Sequence, residues 1–167
     1  MKLYGNDTPE RDGPVRVGVA DYVVTSRETR LTTTGLGSCV GVALVDTESG
    51  LAGLAHVMLP SSDDDSNEVA KFADTAIAAM LEELYDMGAT RNGVEAKIAG
   101  GSNMLDLSGV GKEVGSRNVT ATRDALCAHD VPLVAEDTGG SHGRSLELQT
   151  DSGTLVVRSA HEEVTRL

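Results

Sequence analysis

Apolar positions along the chain fall into short runs broken by glycine- and acid-rich turns, and their spacing predicts a mixture of strands and helices. Residues 15–24 are Val-rich with some alternation and read as a strand, followed by a short β-prone stretch at 31–34. That stretch runs into a glycine-punctuated turn, Thr34-Gly35-Leu36-Gly37-Ser38-Cys39. Two apolar runs, 40–45 and 51–59, flank Asp46-Thr47-Glu48-Ser49-Gly50 and predict a β-hairpin. Both runs are apolar on both faces, so the pair is expected to be central and covered. Pro60 stops the second run, and an acidic loop occupies 61–68. Val69, Phe72, Ala73, Ala76, Ile77, Met80, Leu81 and Leu84 recur at helical spacing, predicting a helix over 69–87 that Gly88 stops.

The pattern continues with a strand at 94–99 ending in Gly100-Gly101, a loop at 102–114, and a weaker helix at 116–129 with Val119, Thr122, Ala125 and Leu126 inward. A strand at 131–135 leads into a turn at 136–140, and 146–149 with 155–158 form a closing hairpin around Asp151-Ser152-Gly153. Residues 1–14 are polar, end in Gly13-Pro14 and read as a flexible leader; the remaining 15–167 read as one domain. Hairpins at both ends favour a layered α/β or α+β sandwich with mixed or antiparallel sheets over a doubly wound parallel fold.

Composition narrows the function. Aromatic residues are only 2% of the chain (Tyr4, Tyr22, Tyr85 and Phe72), which removes stacking platforms for bases or sugars. Twenty-six acidic residues against fourteen basic ones give a net charge of -12, opposing nucleic acid and anionic membrane surfaces. Lys is scarce, four against ten Arg, and this acidic bias is that of a surface kept soluble at high salt. No apolar run approaches the roughly 20 residues needed to span a bilayer, and residues 1–5 lack the apolar core of a secretory signal. Two cysteines make no disulfide framework and show no metal-ligand spacing. The expectation is a cytoplasmic chain with reduced thiols, no metal and no cofactor.

Candidate chemistry centres on Cys39 and His56, because a thiol nucleophile needs a base within hydrogen-bonding reach. With Asp46 opposite Leu51, paired residue numbers in the hairpin sum to 97, so Gly41 faces His56 and Cys39 faces Met58. Cys39 and His56 are then diagonal neighbours on one face, with Cα atoms roughly 7 Å apart. A one-residue slip would put them on opposite faces. The glycines before Cys39 allow a sharp turn, and the backbone N–H groups around Gly37 and Ser38 are candidate oxyanion donors. A cysteine at a strand start also fits as a small buried hydrophobe, and His56 as a satisfied core histidine; the residues alone leave both readings open. Cys127 reads as helix packing, His129 as a helix end, and His142 and His161 as loop residues. Asp63-Asp64-Asp65 reads as solvated loop, and Gly100-Gly101 and Gly139-Gly140 as strand-end turns without the spacing and Lys of a phosphate loop.

The segment Thr33-Thr34-Gly35-Leu36-Gly37-Ser38-Cys39 followed by His56-Val57-Met58-Leu59-Pro60 resembles the chemoreceptor glutamine deamidase family, CheD. The likeness continues, in family order, through Lys71-Phe72-Ala73-Asp74, Ala96-Lys97-Ile98-Ala99-Gly100-Gly101, Gly115-Ser116-Arg117-Asn118-Val119 and Ala135-Glu136-Asp137-Thr138-Gly139-Gly140. The resemblance implies an α/β/α-type sandwich and a catalytic Cys–His–Thr triad: Cys39 as nucleophile, His56 as base and Thr33 as third member. It implies cofactor-free conversion of glutamine to glutamate on methyl-accepting chemotaxis receptors, a CheC-type phosphatase as partner, and work beside membrane receptor arrays. Two alternatives stand beside it: a non-catalytic regulator of the CheC phosphatase, and a thiol methylesterase acting on receptor glutamyl esters.

Overall fold

The computed structural model describes residues 13–62, 68–103, 113–161 and 163–167. Most of the expected leader and the Asp63–Asp65 run lie outside the described residues. Among those described, ten strands form two five-stranded sheets. The first holds β1 (Val15–Arg16), β3 (Arg30–Leu36), β8 (Arg144–Gln149), β9 (Thr154–Ser159) and β10 (Val164–Arg166), in the order β1-β3-β8-β9-β10. The second holds β2 (Tyr22–Thr25), β4 (Val40–Asp46), β5 (Leu51–Val57), β6 (Glu95–Gly100) and β7 (Leu133–Thr138), in the order β2-β5-β4-β6-β7. Two helices, α1 (Ala73–Asp86) and α2 (Val114–Ala128), pack on the second sheet. β1–β3 and β6–β7 are parallel and the other pairs antiparallel.

This is the expected layered α/β sandwich with mixed sheets, but its described layers run helices, sheet, sheet instead of the α/β/α order the resemblance implied, because α1 and α2 pack together on the same face of one sheet. Every residue of β4 and β5 is buried, because that hairpin is covered on both faces. Val40, Val42 and Leu44 pack under the helices with Ile77, Met80, Leu81, Leu84 and Leu126. Ala43, Val45 and Leu54 point the other way, into a second cluster with Leu31, Leu36, Leu146, Leu148 and Leu155 of the first sheet. Among the described residues no helix is long and apolar enough to cross a membrane.

Several elements depart from the sequence reading, each for a local reason. The Val-rich run 15–24 is two strands in different sheets: β1 and β2 are joined by a turn at Gly18–Ala20, where Ala20 adopts φ 57°. The helix expected from residue 69 is a 3-10 turn at Val69–Lys71, then an extended Phe72 (φ -111°, ψ 138°), then α1. Met58 and Leu59 donate their N–H groups to the Lys71 carbonyl at 2.8 and 3.0 Å, so this segment pairs with the end of β5 instead of joining the helix. The turn expected at 136–140 is largely strand, since residues 136–138 continue the parallel pairing with β6 through Ile98↔Glu136, Ala99↔Asp137 and Gly100↔Thr138. Cys127, expected in the packing, is exposed.

Candidate active site

The β4–β5 ladder runs from Asp46↔Leu51 to Gly41↔His56 and Val40↔Val57, the register the turn residues predicted. Side chains one apart in a strand point to opposite faces, so Cys39, two residues before Gly41, shares the face of His56. That face looks into the layer between the sheets. Cys39, half-buried at the mouth of the layer, packs against the inter-sheet cluster. His56 is fully buried inside it. Gly41, beside His56 across the ladder, has no room for a side chain: a Cβ there would run into Leu146 Cδ1 of the facing sheet. The two sheets therefore close tightly over the stretch between thiol and imidazole.

Thr33 comes from the other sheet. A bulge in β3 sets three residue steps, Thr33 to Leu36, against two on β8, Leu146 to Arg144. Without it, Thr33 and Leu36 would face opposite ways; with it both are buried, at 1% and 0% exposure, and face the layer. Thr33 Oγ1 lies 2.8 Å from His56 Nδ1 and donates its proton to the Val17 carbonyl at 2.9 Å. A hydroxyl has one proton. Because Val17 takes it, the contact with His56 must be Nδ1–H donating to Oγ1, which leaves the lone pair of the neutral ring on Nε2. Nε2 is buried and has no hydrogen-bond partner among the described residues. The turn after β1 fixes the backbone of the same histidine, with Ala20 N–H donating to the His56 carbonyl and His56 N–H to the Asp21 carbonyl, each at 3.0 Å. Residues 17–21 thus hold Thr33 in one sheet and His56 in the other.

The loop carrying Cys39 is pinned by its carbonyls. Gly37 O accepts from Ser102 N–H at 2.9 Å, Ser38 O from Asn118 Nδ2 at 2.8 Å, and Cys39 O from Gly101 N–H at 2.8 Å. Gly35, at φ 75°, sits in the β3 bulge just ahead of this loop. Of the two expected backbone donors, the Gly37 N–H is already spent on the Gly35 carbonyl at 3.1 Å. The Ser38 and Cys39 N–H groups bind no other residue among those described. An oxyanion reading therefore falls on Ser38 and Cys39 in place of Gly37 and Ser38. Val17 and Asn118 were missed by sequence reasoning. An asparagine beside the inward face of a predicted helix was the signal for the second; a backbone carbonyl leaves none for the first.

Electrostatics set the resting protonation. Burial pushes the Cys39 thiol up, only partly offset by its own backbone N–H. Burial pushes His56 down from its ordinary value. Both shifts favour the neutral thiol and neutral imidazole over an ion pair. The other histidines lie elsewhere: His129 caps α2, and the His142 and His161 rings meet at a tilt, centroids 5.9 Å apart, in the loops before β8 and after β9. Among the described residues no group of three or more His, Cys, Asp or Glu is arranged to hold a metal ion.

Cys39, His56 and Thr33 thus share the layer between the two sheets, with the imidazole bonded to the Thr33 hydroxyl and no hydrogen bond joining it to the thiol. The family model described as "CheD chemotactic sensory transduction" matches residues 58–159. A relative named "Probable chemoreceptor glutamine deamidase CheD" from Haloarcula marismortui is 50% identical, covering 98% of both chains. Relatives named "Chemoreceptor glutamine deamidase CheD" from Bacillus licheniformis and Thermotoga maritima are each 42% identical, covering 92% and 85% of this chain and 94% and 89% of their own. The chain belongs to the CheD family.

Proposed function

We propose that this chain is a chemoreceptor glutamine deamidase, with Cys39 as nucleophile, His56 as general base and acid, and Thr33 as the group that orients His56. The observation that carries this is the unpartnered Nε2 of a fully buried histidine, aimed into the layer that Cys39 enters while its Nδ1–H is fixed on Thr33. Burial of an unsatisfied polar atom costs about 1–3 kcal/mol, and a histidine present only for packing would avoid it.

Attack begins from the neutral pair. As Cys39 Sγ bonds to the glutamine carboxamide carbon, its proton passes to His56 Nε2 and the carbonyl electrons move onto oxygen. The Ser38 and Cys39 N–H groups receive that oxyanion. The imidazolium, its Nδ1–H held by Thr33, returns the proton to the amide nitrogen; the C–N bond breaks and ammonia leaves, giving a thioester. Water then attacks the thioester carbon, giving its proton to Nε2; as the C–S bond breaks, the imidazolium returns that proton to sulfur, releasing the glutamate side chain and restoring the Cys39 thiol. The same reading makes methyl-accepting receptors the substrate, adaptation of their signalling the consequence, and a CheC-type phosphatase the partner.

Mass spectrometry of a receptor cytoplasmic fragment, incubated at high salt with wild type and with Cys39→Ala, tests the proposal. Glutamine-to-glutamate conversion by wild type alone is the expected result. Conversion by both proteins would remove Cys39 from the mechanism, and conversion by neither, across several receptors, would overturn the deamidase reading in favour of a binding role.

A further inference from the structure

The segment Gly115-Ser116-Arg117-Asn118-Val119 opens α2, far in sequence from the triad, and the mechanism above does not use it. Asn118 is fully buried, although asparagine competes poorly for a helix interior. Its Nδ2 donates to two backbone carbonyls, Ser38 O and Met58 O, both at 2.8 Å. These acceptors are special in the register: Ser38 precedes the nucleophile, and Met58 is the residue that would face Cys39 if the hairpin continued. It does not continue. The β4–β5 ladder ends at Val40↔Val57, and the Met58 N–H turns away to the Lys71 carbonyl at 2.8 Å. Where the ladder stops holding the two strands together, the asparagine amide takes over.

We propose that Asn118 is the positioning residue of the nucleophile loop, clamping Ser38 to Met58 and so fixing where Cys39 Sγ and the Ser38 and Cys39 N–H groups stand relative to His56. This rests on the deamidase reading of the same site. The amide orientation is determined, since a flipped group would set Oδ1 against two carbonyl oxygens. Oδ1 itself is buried with no partner among the described residues. An asparagine kept for packing alone would satisfy its acceptor; here both donors are committed to the loop and the acceptor is left over. Glycine brings the helix close enough for this reach. A Cβ on Gly115, one turn back, would run into the Ser102 and Gly101 carbonyl oxygens, so the first turn of α2 lies directly on the segment whose N–H groups hold Cys39 and Gly37. Carbonyls 37, 38 and 39 are thus fixed by one helix end and the strand end beneath it.

The test uses the full chain in a Cys127→Ser background, so that iodoacetamide reports on Cys39 alone. Three quantities are read for wild type, Asn118→Ala and the milder Asn118→Ser, whose hydroxyl cannot span both carbonyls: kcat and KM on receptor fragment, the pH profile of Cys39 alkylation, and thermal unfolding. The expected result is a kcat lowered about 100-fold in Asn118→Ala at nearly unchanged KM, since loss of alignment acts on the chemical step. The alkylation profile should move toward that of His56→Ala, because a displaced sulfur loses its base. If Asn118→Ala does not fold, Asn118→Ser should show the same changes at smaller size. A kcat within threefold of wild type in a folded variant would overturn the proposal. So would a kcat that falls only with the folded fraction while the alkylation profile stays put. Absence of conversion by wild type would instead strike the deamidase reading, so the two failures are distinguishable.

Discussion

The two ends of the β4–β5 hairpin each bury a polar side chain completely, and they treat it oppositely. At the closed end, Asp46 accepts from Ser49 N–H at 3.2 Å, Ser49 Oγ–H at 3.0 Å and Thr90 N–H at 3.0 Å. Burial alone would raise its pKa, but these hydrogen bonds outweigh it and hold the carboxylate below the usual range. At the open end, His56 has one nitrogen bonded and the other bare. The carboxylate is satisfied by both the turn and Thr90 because it ties the turn to the connection between α1 and β6. The imidazole is half-satisfied, and on the deamidase function proposed above the bare nitrogen is the acceptor for the Cys39 proton. Neither side chain is exposed to solvent, so what differs between the two ends is the bonding left undone around His56.

The comparison breaks most visibly through the thiol and the imidazole. Cys39→Ala and His56→Ala should each lower deamidation on the order of 10^4-fold while leaving the far-ultraviolet circular dichroism of the folded chain unchanged. A smaller effect comes from the hydroxyl. Thr33→Val keeps the shape but cannot accept from Nδ1–H, and should reduce kcat about 100-fold with KM little altered. The closed end should respond in stability alone. Asp46→Ala strands three donors at the turn and should cost about 2 kcal/mol by denaturant titration, with the kcat of the folded variant near wild type.

The smallest effects are in pH. His56 has a lowered folded pKa, so the unfolded chain takes up its proton first as pH falls below about 6.5. The stability contributed by the neutral buried ring is present above that pH and is lost below it; His56→Gln should remove this window. Asp46, also lowered when folded, contributes stability present above about pH 3.9 and lost as pH falls further, and Asp46→Asn should flatten that second window. The acid limb of kcat/KM should follow His56 and lie below about pH 6.5, because protonated Nε2 cannot accept from the thiol. An activity plateau extending down into the carboxylate range with the His56 ring doubly protonated across it would mean a preformed thiolate–imidazolium pair.

Local chemistry decides how much of this was readable from the chain. Gly50 and the residues before it fix the hairpin turn, and the turn fixes the register, so the shared face of Cys39 and His56 followed from counting. Thr33 was named only through the family resemblance, because its place depends on a bulge and on pairing with β8 more than a hundred residues away. Phe72 fell into the helical period by coincidence, and only the carbonyl of Lys71 pairing with the end of β5 shows that it is extended. The run 15–24 has strand chemistry throughout; what splits it is the passage between two sheets at Gly18–Ala20, a tertiary demand with no local signature. Asn118 contacts lie 60 and 80 residues away, beyond any periodicity.

The most direct test of the central claim is the tautomer of His56 in the resting protein, read by nitrogen-15 NMR of selectively labelled histidine near neutral pH, with His56→Gln to assign the signals. The account predicts a neutral ring protonated on Nδ1 and bare on Nε2. A ring protonated on Nε2, or on both nitrogens, would contradict it, because Nε2 would then have no lone pair to offer the thiol.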